Sequence, residues 1–268
     1  MNHLAEQPIG IFDSGIGGLT VANAIRHALP RESIIYFGDT IHLPYGDKSA
    51  DAIRYYSLKI CKFLLEQQCK MIVIACNTAS SAAYDVLLDF FEGKVLFVNV
   101  VDPLVQSVVN GEYKNVGVIA TKATINSSIY KNKIKNYNQR IKVNQVATPL
   151  LAPMIEEGFY SGNISASVID SYLSHPDLEN IDALLLACTH YPLIKPEINQ
   201  FYCGKVDILD STDVVANSVH EMLSRENLLR SNNDVAEHFY VSDYTDSFEQ
   251  TAKNFYGEHI KLEAKHIW

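Results

Sequence analysis

Long apolar runs are missing from this chain of 268 residues. None approaches the ~20 residues a helix needs to span a bilayer, so a membrane protein is not expected. Positive charge is also scarce: 22 Lys and Arg stand against 31 Asp and Glu, a formal charge of −9. That leaves no basic footprint for nucleic acid and none for an anionic membrane surface. Met1 to Pro8 offer neither a basic n-region nor an apolar h-region, so no secretory signal is visible and the cytoplasm is the expected location. Cysteines number five, with no C-x-x-C and no His/Cys cluster at zinc spacing. Reduced thiols and no metal site are therefore expected.

Two of those cysteines, Cys76 and Cys188, sit in twin settings 112 positions apart. Met71-Ile72-Val73-Ile74-Ala75-Cys76-Asn77-Thr78 and Ala183-Leu184-Leu185-Leu186-Ala187-Cys188-Thr189-His190 each run from apolar residues through Ala-Cys to hydrogen-bonding groups. Continuous apolar runs of this length read as strands buried on both faces of a parallel sheet. Ligands of open α/β sheets bind beyond the carboxyl ends of such strands, so two thiols facing one substrate suggest two proton-transfer groups. Cys61 and Cys69, in a stretch that reads as helix (60–69), and Cys203 are expected to be packing residues.

Other strands repeat as well. Ile9-Gly10-Ile11-Phe12-Asp13-Ser14 resembles Val116-Gly117-Val118-Ile119-Ala120-Thr121, and Phe97 to Asp102 resembles Val206 to Asp210. Helical patterns such as 51–60 and 165–173 lie between them, and strand–helix alternation means parallel sheets. The expected fold is α/β: two similar parallel-sheet domains related by a pseudo-two-fold repeat, with the active site in the cleft between them. After Asp210 the pattern predicts a helix over 213–230, a short strand at 238–241, a helix at 246–255 and a strand at 260–267. These have no partner in the second half and are expected to return to the first. The domains are then 1–100 plus 213–268 (the Cys76 half) and 101–212 (the Cys188 half).

The loops after the strands carry the candidate chemistry. Asp13-Ser14-Gly15-Ile16-Gly17-Gly18 opens a helix. It lacks the G-x-G-x-x-G spacing and a Walker lysine, so a nucleotide cradle is unexpected. Asp13 reads as a charged partner or amine contact, or else Asp13 or Ser14 caps the helix. Pro44-Tyr45-Gly46 offers a phenol and a backbone amide, or merely a surface turn. Thr121, at the matching tip of the second half, could reach the same cleft or cap a helix. His190 could tune Cys188 by proton exchange or charge; the other histidines read as surface or packing. Glu156 and Glu157 point ~100° apart on a helix, so at most one faces a cleft, and the residues do not say which.

Together these motifs, with Ala75-Cys76-Asn77-Thr78-Ala79-Ser80 and Cys188-Thr189-His190-Tyr191-Pro192, resemble the glutamate racemases of bacterial cell-wall synthesis over nearly the whole chain. The resemblance implies cofactor-independent interconversion of L- and D-glutamate, supplying D-glutamate for peptidoglycan. It makes Cys76 and Cys188 the acid/bases, with Cys76 acting on D-glutamate. It sets Asp13 beside Cys76, His190 beside Cys188, and Glu156 as an assisting carboxylate. Ser14, Tyr45, Gly46, Asn77, Thr78, Thr121 and Thr189, with Asp13 and His190, would hold the substrate. Relatives assemble in more than one way and some respond to a cell-wall precursor, so a homodimer and such an effector are carried as family traits that the residues do not reveal. Thr148-Pro149 departs from the Cys-Pro of many relatives. Competing expectations are an aspartate or other two-cysteine racemase, a catalytically silent regulatory module on the same fold, and a covalent cysteine hydrolase.

Overall fold

The computed structural model describes residues 3–268. Its strands are β1 (Ile9–Asp13), β2 (Ile34–Gly38), β3 (Met71–Ile74), β4 (Leu96–Asn99), β5 (Asn115–Ala120), β6 (Lys142–Ala147), β7 (Ala183–Ala187), β8 (Asp207–Asp210), β9 (Glu237–Val241) and β10 (Leu262–Ala264). Between and after them run α1 (Leu19–Ala28), α2 (Ala50–Glu66), α3 (Asn77–Phe90), α4 (Val101–Asn110), α5 (Lys122–Ser127) and α6 (Ile129–Tyr137). The remaining helices are α7 (Leu151–Glu156), α8 (Asn163–Leu173), α9 (Lys195–Phe201), α10 (Thr212–Arg225) and α11 (Asp246–Tyr256).

Two sheets form, and every strand pairing is parallel. One has the order β10-β9-β2-β1-β3-β4, the other β6-β5-β7-β8. The sequence β2-β1-β3-β4 therefore recurs as β6-β5-β7-β8. The last two strands extend the first sheet beyond β2. Parallel neighbours need long crossovers, and the helices supply them.

Alternate residues of a strand face opposite sides, and the core divides accordingly. Ile9 and Ile11 of β1 join a core that runs on through Ile119, Leu184 and Leu186 of the second sheet. On the other face of the first sheet, Phe12 and Ile74 pack with Ile60 and Leu64 of α2. The outer face of the second sheet packs Val118 and Leu185 against Leu104 of α4 and Tyr130 and Ile134 of α6. The two sheets thus share one apolar layer, which fixes their strand ends relative to each other.

Several sequence expectations change. The helix expected to reach Arg230 stops at Arg225, because Asn227 takes a left-handed backbone (φ 56°). The final strand is confined to 262–264. Cys69 lies outside α2, after a turn through Gln68 at φ 60°, though it is buried as a packing residue should be. Cys203 is not a packing residue: it is exposed, in a left-handed turn. Among the described residues no helix is long and apolar enough to cross a membrane.

Candidate active site

Cys76 lies two residues beyond β3 and caps α3, its Sγ accepting the Ala79 N–H at 3.4 Å. Its thiol reaches the Ser14 Oγ at 3.6 Å. Burial first, then the Asp13 charge, push this thiol up to about 12, against the pull of the Ala79 and Ser14 hydrogen bonds. Cys76 is accordingly protonated at neutral pH. Asp13 ends β1 fully buried; its Oδ2 accepts the Gly15 N–H at 3.0 Å, while Oδ1 is buried without a partner among the described residues. Burial raises its carboxyl, opposed by the His190 charge and the Gly15 and Gly18 amides. Neither Asp13 nor Ser14 caps α1, whose N-cap is Gly18 with no side-chain bond.

Cys188 follows β7 directly, and its setting differs. The His190 Nδ1 lies 3.5 Å from its Sγ, and the His190 Nε2 lies 2.8 Å from the Glu156 Oε1. Burial opposes charge on this ring, yet Glu156 and Cys188 outweigh it and hold His190 well above its ordinary value. The result is an imidazolium at neutral pH, with one N–H directed at the thiol and one at the carboxylate. Glu157 is exposed.

Contacts between the halves lock the arrangement. A Cβ on Gly17 would stand 2.3 Å from the His190 ring, so only glycine lets the ring approach that loop. The Thr20 hydroxyl donates to the Thr189 carbonyl at 3.0 Å. Gly46 is packed against Thr121, where a Cβ would meet the threonine side chain at 3.0 Å. The hydroxyls of Thr78 and Thr121 lie 2.9 Å apart, and Thr121 also caps α5.

One cavity of ≈ 50 Å³ collects these groups. Ser14, Tyr45, Gly46, Cys76, Asn77, Thr78, Thr121, Glu156, Cys188, Thr189 and His190 line it, with Leu43, Pro44, Ala152 and Pro153 as apolar wall. Asp13 stands behind this lining. A larger cleft of ≈ 800 Å³ beside α1 and α10 contains neither thiol. Tyr45 differs from its expected role in one respect: its hydroxyl donates to the Asp39 Oδ2 at 2.7 Å, leaving the cavity its ring, backbone and a lone pair.

Two participants escaped the sequence reading. Asp39, fully buried at the tip of β2, accepts from Tyr45, from the His42 Nδ1 (2.9 Å) and from the Ser242 Oγ (3.0 Å). The rule that picked out Asp13 at a strand tip could have found it. Tyr130, on α6, hydrogen-bonds Asn77 across 53 residues of sequence, and no local signal announces it.

The pattern of the Asp/Glu/Hydantoin racemase family matches residues 19–219. Glutamate racemase 3 of Caldanaerobacter subterraneus subsp. tengcongensis is 41% identical over 260 residues, covering 96% of this chain and 92% of that protein. The crystal structure of glutamate racemase from Francisella tularensis subsp. tularensis SCHU S4 in complex with D-glutamate superposes with a TM-score of 0.93 at 38% identity, covering 98% of each chain. Escherichia coli glutamate racemase, in complex with L-glutamate and the activator UDP-MurNAc-Ala, superposes at 0.78 with 25% identity, covering 97% of this chain and 98% of that one.

Proposed function

The chain belongs to the Asp/Glu/Hydantoin racemase family, and we propose that it interconverts L- and D-glutamate by two-base proton transfer at the α-carbon between Cys76 and Cys188. Amino-acid racemisation of the glutamate type is its activity, as in relatives of about 40% identity over nearly the whole chain. The observation that carries the two-base reading is the pair of thiols at corresponding strand ends of a repeated sheet, lining one small cavity.

A single base would have to visit both faces of the stereocentre; two groups on opposite faces do not. From L-glutamate, a Cys188 thiolate beside the His190 imidazolium takes the α-proton. The electron pair left on the α-carbon then takes the proton of the Cys76 thiol, which becomes the thiolate. The reverse reaction starts from that product state. Before another L-glutamate can react, Cys76 must regain a proton and Cys188 must lose one; the raised affinity of Cys76 for its proton favours this reset. Stabilising the carbanion is the larger demand. Donors from Ser14, Asn77, Thr78, Thr121 and Thr189 surround the cavity, and the N-terminus of α3 adds its amides. In so small a space they act with little competing water.

Three further readings rest on the family alone, namely D-glutamate supply for peptidoglycan, a homodimer, and a cell-wall precursor effector of the kind bound by the Escherichia coli relative, while the cytoplasmic location rests on the sequence expectation. The domain division 1–100 plus 213–268 and 101–212 is supported by the strand orders. The test incubates the protein separately with L- and D-glutamate in D₂O, without added cofactor, following the α-proton by NMR and optical activity by circular dichroism. Loss of the α-proton with decay of optical activity to zero from both sides is expected. Exchange of aspartate but not glutamate would move the substrate, and inertness toward both would overturn the reading.

A further inference from the structure

Asn77 opens α3 and is 3% exposed, and its amide is held from one side only. The Tyr130 O–H donates to its Oδ1, while its Nδ2 is buried with no partner among the described residues. A buried N–H without an acceptor is destabilising, a cost removed when a ligand supplies the acceptor. Asn77 lines the cavity between the two thiols. We propose that Tyr130 is a positioning residue that fixes the Asn77 amide so that Nδ2 faces the cavity as the donor for a substrate carboxylate.

The two ends of a carboxamide are nearly identical in shape but opposite in hydrogen bonding. Reversed, Asn77 would present a carbonyl oxygen to the carboxylate and repel it. The hydroxyls of Ser14, Thr78, Thr121 and Thr189 can each turn to donate or accept, so they do not set polarity at that end of the cavity. Nδ2 can only donate. Tyr130 suits the task because its buried hydroxyl makes no other hydrogen bond among the described residues, so a reversed amide would leave the phenol proton without an acceptor. Burial, then the Asp102 and Cys188 charges, push the phenol up, so that proton is kept throughout the working range of pH. It is also firmly rooted, 1% exposed in the outer core of the second sheet beside Ile134. The bond joins helices belonging to different sheets, so the donor is set only where the two halves meet as they do here.

This inference rests on the glutamate racemase reading. The test is a double-mutant cycle on racemisation, since coupling between two residues appears as non-additivity. Tyr130→Phe is expected to raise KM for glutamate about tenfold, equivalent to about 1.4 kcal/mol, with a smaller change in kcat. In an Asn77→Ala background the same substitution is expected to change kcat/KM no further. Asn77→Asp, which puts an acceptor in place of the donor, is expected to lose more than Asn77→Ala. Additive losses, or a Tyr130→Phe protein with unchanged KM, would overturn the role of Tyr130 and leave the activity standing. An inactive wild-type protein would instead sink the racemase reading.

Discussion

The two halves share a strand order but not an electrostatic design. In the first, the charge beside the thiol is Asp13, at the end of β1; in the second, the corresponding residue is the neutral Ala120. The charged groups near Cys188 instead come from beyond β7 and from α7, as His190 and Glu156. One thiol, buried beside a carboxyl, keeps its proton; the other faces a cation. A duplicated scaffold places two thiols at corresponding strand ends, while the charged groups set beside them are unlike. Racemisation of a free amino acid needs this inequality, because two equally protonated thiols would leave no base.

The strongest way to break the comparison is to remove either thiol. Cys76→Ala and Cys188→Ala are each expected to reduce racemisation by ~10³-fold or more, within the range assigned to lost acid–base groups. Because the two enantiomers have equal free energy, kcat/KM must fall equally from both sides. The asymmetry will appear in α-proton exchange: Cys188→Ala should retain more exchange with D-glutamate, and Cys76→Ala more with L-glutamate, followed by NMR in D₂O. Equal residual exchange would contradict the assignment of faces.

Next in size is the pair that makes His190 a cation. Glu156→Gln keeps the shape of the side chain but removes the charge that raises the ring. His190 then loses its proton at lower pH, so the alkaline limb of kcat/KM is expected to move toward neutrality, with a roughly 10–100-fold loss near pH 8. A pH–rate profile unchanged on its alkaline side would separate Glu156 from the state of Cys188.

Asp13 sharpens the contrast through stability. Its folded carboxyl is raised, so the folded state binds the proton more tightly than the unfolded chain does. The associated cost is absent below the ordinary carboxylate value of about 3.9 and grows as pH rises through the folded value. Asp13→Asn is therefore expected to melt higher than wild type at pH 7.5, with the gain fading toward pH 4, while racemisation falls. A variant less stable at every pH would show that the carboxylate is a net structural asset.

The contrast was only partly readable in the sequence. Strands buried on both faces show as unbroken apolar runs, which made β1, β3, β5 and β7 visible. β6 escaped because it is an edge strand: Lys142-Val143-Asn144-Gln145-Val146-Ala147 buries only Val143 and Val146 and reads as polar. Site residues in contiguous motifs were legible because strand ends and their loops share one location. Residues alone left Glu156 and Glu157 undecided, since the choice depends on the rotation of a short helix about its axis. Tyr130 lay beyond reach because its partner belongs to the other half.

The smallest expected effect concerns the tips of β2 and β6, which occupy equivalent places. The Asp39 N–H donates to the Asp13 carbonyl and the Thr148 N–H to that of Ala120. Each side chain also meets a buried tyrosine hydroxyl: Asp39 that of Tyr45, and Thr148 that of Tyr191 at 2.7 Å. The difference is load. Three donors converge on Asp39, which anchors the 44–46 loop over the cavity, and Asp39→Asn would turn an N–H toward at least one of them. That should cost about 1–3 kcal/mol, or several degrees of melting temperature, and raise KM as the loop shifts. Thr148→Val removes two neutral hydrogen bonds, the long one to the Ala120 carbonyl (3.3 Å) and the one with Tyr191, and Tyr191 still donates to the Thr148 carbonyl at 3.2 Å. A loss of about 1 kcal/mol, with kcat/KM within about threefold of wild type, is expected from calorimetry and steady-state assays. If Thr148→Val damaged catalysis as much as Asp39→Asn, the Tyr191 hydroxyl beside Cys188 would have to act on the thiol, and the second half would contain a proton-handling group without a counterpart in the first.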